Sequence, residues 1–146
     1  MIYTKVSLEE ILEWLKTNLT EKRFKHSIGT AQYAKNLAPK LGINEEKAYI
    51  AGLLHDCAKC FEDEKMLEIL DKCDVSADER ASYKTWHAPV SAYVAKNTFG
   101  IEDKEILSAI RWHTVGKIGM TDFEKIIFLS DKAEFSTRKD EYAQPV

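Results

Sequence analysis

Four histidines and two aspartates are the residues whose types and order could carry chemistry. The histidines are His26, His55, His87 and His113. His55 is followed at once by Asp56 in the run GLLHDCAK, and a late aspartate, Asp131, stands in IIFLSDKAE. A lone histidine on a helix is more often a structural residue than a ligand. Four of them, with an adjacent aspartate and a second one later, make a different case. Imidazole and carboxylate together suit iron, manganese, zinc, cobalt or nickel. Magnesium and calcium prefer all-oxygen cages, so four imidazoles argue against them. The cysteines do not offer a rival centre. Cys57 and Cys60 form one C-x-x-C, but there is no second such pair to complete a structural zinc site. With Cys73 the count is odd, which points to reduced, partly buried thiols.

Side chains so far apart in sequence need a scaffold that converges. The periodicity is helical almost throughout. Ser7 with Glu10 reads as a capping box opening a helix that carries Leu8, Ile11, Leu12, Leu15 and Leu19. Thr20 caps a second helix with an apolar face from Phe24 to Leu41, closed by Gly42 in a left-handed cap. Asn44 caps a third helix running toward His55, and residues 63 to 72 form a short amphipathic one. Pro89 fits a helix first turn, and that helix continues to about Asn97. A further helix covers EDKEILSAIRW, residues 102 to 112. Thr121 with Glu124 is a second capping box, opening a helix to Asp131. The stretch SADERASY, residues 76 to 83, reads as solvated surface. Alternating strand patterns are absent, so the expectation is one all-α domain over residues 1 to 146, with its core at about 20 to 138.

The ligand candidates then fall on five different helices. His55 and Asp56, as neighbours, would point about 100° apart in a regular helix. Both reach one centre only at a helix end or in a distorted turn. Gly52 nearby allows close packing.

Composition bounds the function. With 45% hydrophobic and 31% charged residues the chain is ordinary globular material. A net charge of -3 speaks against a nucleic-acid polymer as partner. No run approaches the roughly 20 apolar residues of a membrane span. The N-terminus MIYTKVSLEE lacks a signal-peptide core. The expected location is cytoplasmic.

The order H…HD…H…H…D resembles the HD superfamily of metal-dependent phosphohydrolases in its six-ligand, two-metal form, from about Arg23 to Arg138. The words RFKHSIGTAQYAKNLA, AGLLHDCAK, WHAPVSAYVA, IRWHTVG and IIFLSDKAE are similar to the bacterial YqeK-like symmetrical bis(5'-nucleosyl)-tetraphosphatases, which cut diadenosine tetraphosphate into two ADP. The resemblance implies an HD-domain helical bundle in which His26, His55, Asp56 and Asp131 hold one iron. Asp56, His87 and His113 would hold the second, with a hydroxide bridging the two as nucleophile. It implies phosphate contacts from Arg23, Lys59, Arg111, Thr114 and Arg138, with Asp56, Lys59 and Arg111 at the reacting centre. An ADP-like or GDP-like nucleotide would be bound, and a homodimer is left open. Two departures stand out. Phe135 occupies the family's proline position, with Arg138 one step late. The family also continues as a C-terminal helical segment, so the sequence ending at QPV reads as a shortened chain.

The residues support that chemistry. A phosphoanhydride is a polyanion, and two metals about 3.5–4 Å apart shield its charge and acidify a shared water. Lys59 lies one turn past Asp56, which aims its ammonium at the same cavity. Arg111, two residues before His113, could supply a bidentate fork to phosphate. Lys117 and Lys132 are weaker candidates. Trp86 and Trp112 each precede a ligand and suit either base stacking or the core. The alternatives are another nucleotidase or phosphodiesterase on the same scaffold, a di-iron oxygenase, or a binding module, against which the intact ligand set argues.

Overall fold

A computed structural model describes residues 2 to 134. The helices start where short polar side chains cap them. Ser7 Oγ accepts from Glu10 N–H and opens α1 (Leu8–Asn18), though Glu10 bonds the Ser7 hydroxyl rather than closing a full box. Thr20 opens α2 (Glu21–Leu37) and Asn44 opens α3 (Glu45–Leu54) in the same way. A short 3-10 turn, Ala38–Leu41, follows α2 and closes on Gly42 at φ 68°. Next come α4 (Asp63–Leu70), α5 (Ala77–Ala81), α6 (His87–Phe99), α7 (Lys104–Arg111) and α8 (Asp122–Ala133). The Thr121–Glu124 capping box of α8 is complete. No strand occurs among the described residues.

One departure from expectation is α5. Residues 76 to 83 are solvated surface, none of them buried, but they are also helical: Ser76 and Glu79 close a capping box around a single turn and a half of helix. The signature, Ser or Thr followed three residues on by Glu, is the one that marks α1 and α8, but no apolar run follows it.

α2 packs most extensively on α3, and α8 lies across both. Gly52 explains how close the first pair comes. A Cβ there would sit 2.7 Å from the Ala31 Cα and 2.9 Å from its nitrogen. With Ala31 and Ala34 fully buried opposite, small residues let the two backbones approach. The α6–α7 pair closes the other side. Ile50, Leu53, Leu54, Ile106, Ile110 and Ile127 fill the space between, all fully buried or nearly so. Their burial, about 25 cal/mol per Å² of apolar surface, is what holds the polar centre in place.

Candidate metal centre

α3 stops at Leu54, and the chain leaves the helical path just where the two adjacent ligands stand. Cys57 N–H bonds Leu54 O at 3.2 Å and Lys59 N–H bonds Asp56 O at 2.9 Å, a run of tight three-residue turns. His55 and Asp56 therefore sit at a helix end, as their adjacency requires. His26 comes from the middle of α2, Asp131 from the last turn of α8, His87 from the first residue of α6 and His113 from just past α7. All six are buried, none more than 8% exposed.

They form two clusters that share one residue. His26, His55, Asp56 and Asp131 make the first; Asp56, His87 and His113 make the second. Asp56 divides its oxygens between them. Its Oδ1 lies 3.3 Å from His87 Nε2 and 3.1 Å from His113 Nε2. Its Oδ2 lies 3.5 Å from His55 Nε2 and 3.8 Å from His26 Nε2. Asp131 Oδ1 completes the first cluster at 2.8 Å from His26 Nε2 and 3.0 Å from His55 Nε2.

The donor set fits divalent transition metals, and the reason is the tautomers. His55 Nδ1 faces Gly52 O at 2.6 Å and His113 Nδ1 faces Ile110 O at 2.7 Å. A carbonyl only accepts, so Nδ1 carries the proton in both rings. His26 Nδ1 donates to the Glu134 carboxylate at 2.6 Å. The Nε2 atoms of these rings face the aspartate oxygens and, for His26 and His55, each other at 3.3 Å. With a cation bound, each such ring would turn an Nε2 lone pair to it, with the protonated nitrogen anchored behind. Both aspartates stay anionic. Burial pushes the Asp56 carboxyl up, but the His55, His113 and His87 imidazoles outweigh it and hold it well below the usual carboxylate range. Burial likewise pushes Asp131 up and is outweighed by hydrogen bonds from His26 and His55. The imidazoles diverge: burial pulls His26 down, yet Asp131 and Glu134 leave it raised, whereas burial wins at His87 and leaves it lowered.

The centre opens on a cavity of about 280 Å³ lined by Arg23, Asp56, Lys59, His87, His113, Thr114, Asp131 and Lys132. Of the expected phosphate contacts, Arg23, Lys59 and Thr114 are brought there. Arg23 Nη2 pairs with Asp56 Oδ2. Lys59 is exposed and makes no ion pair among the described residues. Lys132, the weaker candidate, stands at the wall with Nζ 3.1 Å from His113 O and 3.4 Å from Asp131 Oδ2. Lys117 is not there; Glu124 holds it at 3.0 Å.

Arg111 is not brought to the cavity either, which corrects the expected phosphate fork. α7 ends at Arg111 and Trp112 leaves the helical path (φ -107°, ψ 11°), so His113 is turned inward while Arg111 faces Glu79. It forms a two-pronged pair with Glu79, Nη1–Oε2 2.8 Å and Nη2–Oε1 2.9 Å, and lies over the Trp112 ring at 4.0 Å. Both line an outer groove of about 360 Å³ that contains no metal-ligand candidate. Trp86 donates its indole N–H to Arg80 O at 2.9 Å. Cys57 is buried and Cys60 exposed, so the C-x-x-C does not converge. Arg138 lies outside the described residues. Glu134, 2% exposed behind His26, was not anticipated. Its signal is position: three residues after Asp131, on the same side as that ligand.

The HD domain family model matches residues 23 to 136. The chain is 40% identical over 129 residues to the symmetrical bis(5'-nucleosyl)-tetraphosphatase of Bacillus subtilis, covering 86% of this chain and 68% of that one. It is 40% identical over 125 residues to the protein of the same name from Halalkalibacterium halodurans, covering 84% of this chain and 66% of that one. The chain thus spans about two thirds of the length of these relatives. A solved structure from Clostridium acetobutylicum, described as a predicted HD superfamily hydrolase involved in NAD metabolism, superposes with a TM-score of 0.81 at 36% identity over 93% of this chain and 73% of that one.

Proposed function

The chain belongs to the HD-domain family, and from that premise we propose that it hydrolyses dinucleoside polyphosphates, cutting diadenosine tetraphosphate into two ADP. The observation that carries the reading is the two histidine–aspartate clusters sharing Asp56 at the base of a cavity walled by Arg23, Lys59 and Lys132. The names of the two bacterial relatives support it.

His26, His55, Asp56 and Asp131 would hold one metal and Asp56, His87 and His113 the other, with iron the first choice. Divalent ions there supply charge shielding on phosphoryl oxygens and an acidified water. The protein's own groups do the rest. Two aspartates against two divalent ions leave the centre net positive, which suits a polyanion. Lys59, without a protein partner among the described residues, has its three donors available for phosphate oxygens. Thr114 offers a hydroxyl at the same wall, and Arg23 a guanidinium reaching the shared carboxylate. Cations on more than one side of the centre favour an inner phosphate at the metals. A nucleoside diphosphate then leaves without needing a strong acid. No helix among the described residues is long and apolar enough to cross a membrane.

The test is product analysis under anaerobic conditions with iron or manganese. Two ADP are expected, with oxygen-18 from water on the terminal phosphate of only one of them. ATP plus AMP would mean an asymmetric cut and would overturn the reading.

A further inference from the structure

His87 and His113 of the second cluster sit at helix ends, and polar contacts hold those ends. His87 is the first residue of α6, and the chain reaches it through α5 and a 3-10 turn, Tyr83–Thr85. α5 buries none of its own residues, so it has no apolar anchor. Its attachment is polar. Glu79 accepts two parallel hydrogen bonds from Arg111, whose Nη2 also reaches Asp74 O at 3.2 Å. The two side chains are only 14% and 15% exposed. The pair then connects forward to His87: Thr85 Oγ1 donates to Glu79 O at 3.0 Å and to Ser82 O at 2.9 Å, and the Trp86 indole donates to Arg80 O. On its other side Arg111 is the last residue of α7, stacked on Trp112, with His113 next.

We propose that Arg111 and Glu79 are a positioning pair for the second metal: the fork ties the approach to His87 to the approach to His113, and so fixes the spacing of both imidazoles about Asp56 Oδ1. The inference rests on the second cluster being a metal site. It gives Arg111 a role away from substrate. A planar fork on a carboxylate fixes orientation as well as distance, which a lysine point charge cannot do.

The test uses the full chain, metal-free and then titrated anaerobically with manganese by calorimetry. The variants are Glu79→Gln, Arg111→Met, Arg111→Lys and the Glu79→Gln/Arg111→Met double. Glutamine still suits the capping box of α5, so Glu79→Gln loosens the pair and spares the helix start. The first equivalent should bind as in wild type and the second more weakly, by roughly 10- to 100-fold, the usual loss when a ligand's supporting partner goes. The double variant should be no worse than the poorer single one, and Arg111→Lys should recover only part of the loss. In the metal-free chain, hydrogen exchange should rise over residues 76 to 87 and stay unchanged over 45 to 54. Wild-type affinity for the second equivalent with unchanged exchange overturns the proposal. So does equal loss of both equivalents with faster exchange in α3, which would mark general loosening. If the wild-type chain takes up fewer than two equivalents, the dimetal reading fails by itself, and the exchange comparison still decides whether the pair holds the segment.

Discussion

The two halves of the candidate metal centre are built differently. In the first, His26 stands within the 17-residue α2, Asp131 in the last turn of α8, and His55 ends a helix that Gly52 lets lie against α2. His26 and His55 are fully buried, and a carboxylate, Glu134, backs His26. In the second, His87 and His113 sit at helix ends, both line the cavity, and a backbone carbonyl backs His113. A ligand inside a packed helix inherits its position from hydrophobic burial. A ligand at a helix end depends on whatever fixes the flanking loop. The first half should therefore bind its ion more tightly, and the second should be the exchangeable one.

The largest effect should come from the residue both halves share. Asp56→Ala removes an oxygen from each cluster and should abolish uptake of both metals and reduce turnover to background, measured by elemental analysis and the rate of ADP formation. Retention of two metals with full turnover would undo the assignment of a shared carboxylate. The halves separate in the next pair. His87→Ala should cost only the weaker equivalent. Glu134→Ala should weaken the tighter one by roughly 10- to 100-fold, as loss of a supporting carboxylate does elsewhere. A titration in which Glu134→Ala touches only the weaker equivalent would reverse the comparison.

Gly52→Ala probes the packing beneath the first half. The added methyl meets Ala31 backbone rather than a side chain that can move, so overpacking should cost about 1–3 kcal/mol, read by chemical denaturation. Unchanged stability would mean that the α2–α3 approach is not tight. Lys59→Ala leaves both halves intact and should act on substrate alone, raising KM or lowering kcat about tenfold while two metals stay bound.

The smallest effect is a pH dependence confined to the second half. The Arg111 guanidinium, against the penalty of partial burial, holds the Glu79 carboxyl below its usual range. A depressed folded-state pKa contributes stability that is present above the ordinary glutamate range and lost as pH falls through the depressed value. Exchange protection over residues 76 to 87 should thus survive mild acidification and fade only below the range where a free glutamate protonates. Loss of protection near neutrality would point to a histidine instead.

The amino-acid sequence alone determined the inventory of the centre and the starts of most helices. Caps at Ser7, Thr20, Asn44 and Thr121 are decided within a few residues, because the bonds that satisfy a first turn are local. The six ligand types in their order are legible for the same reason: chemistry is written in residue identity. α5 carried the same local signature at Ser76 and Glu79, but without a buried face it read as surface. Tertiary structure decided what each side chain faces. It put one oxygen of Asp56 in each cluster, set Glu134 behind His26, and turned Arg111 from the cavity to Glu79. Such directions depend on how helices far apart in sequence pack and where each one ends, and spacing along the chain does not encode the rotation of one helix against another.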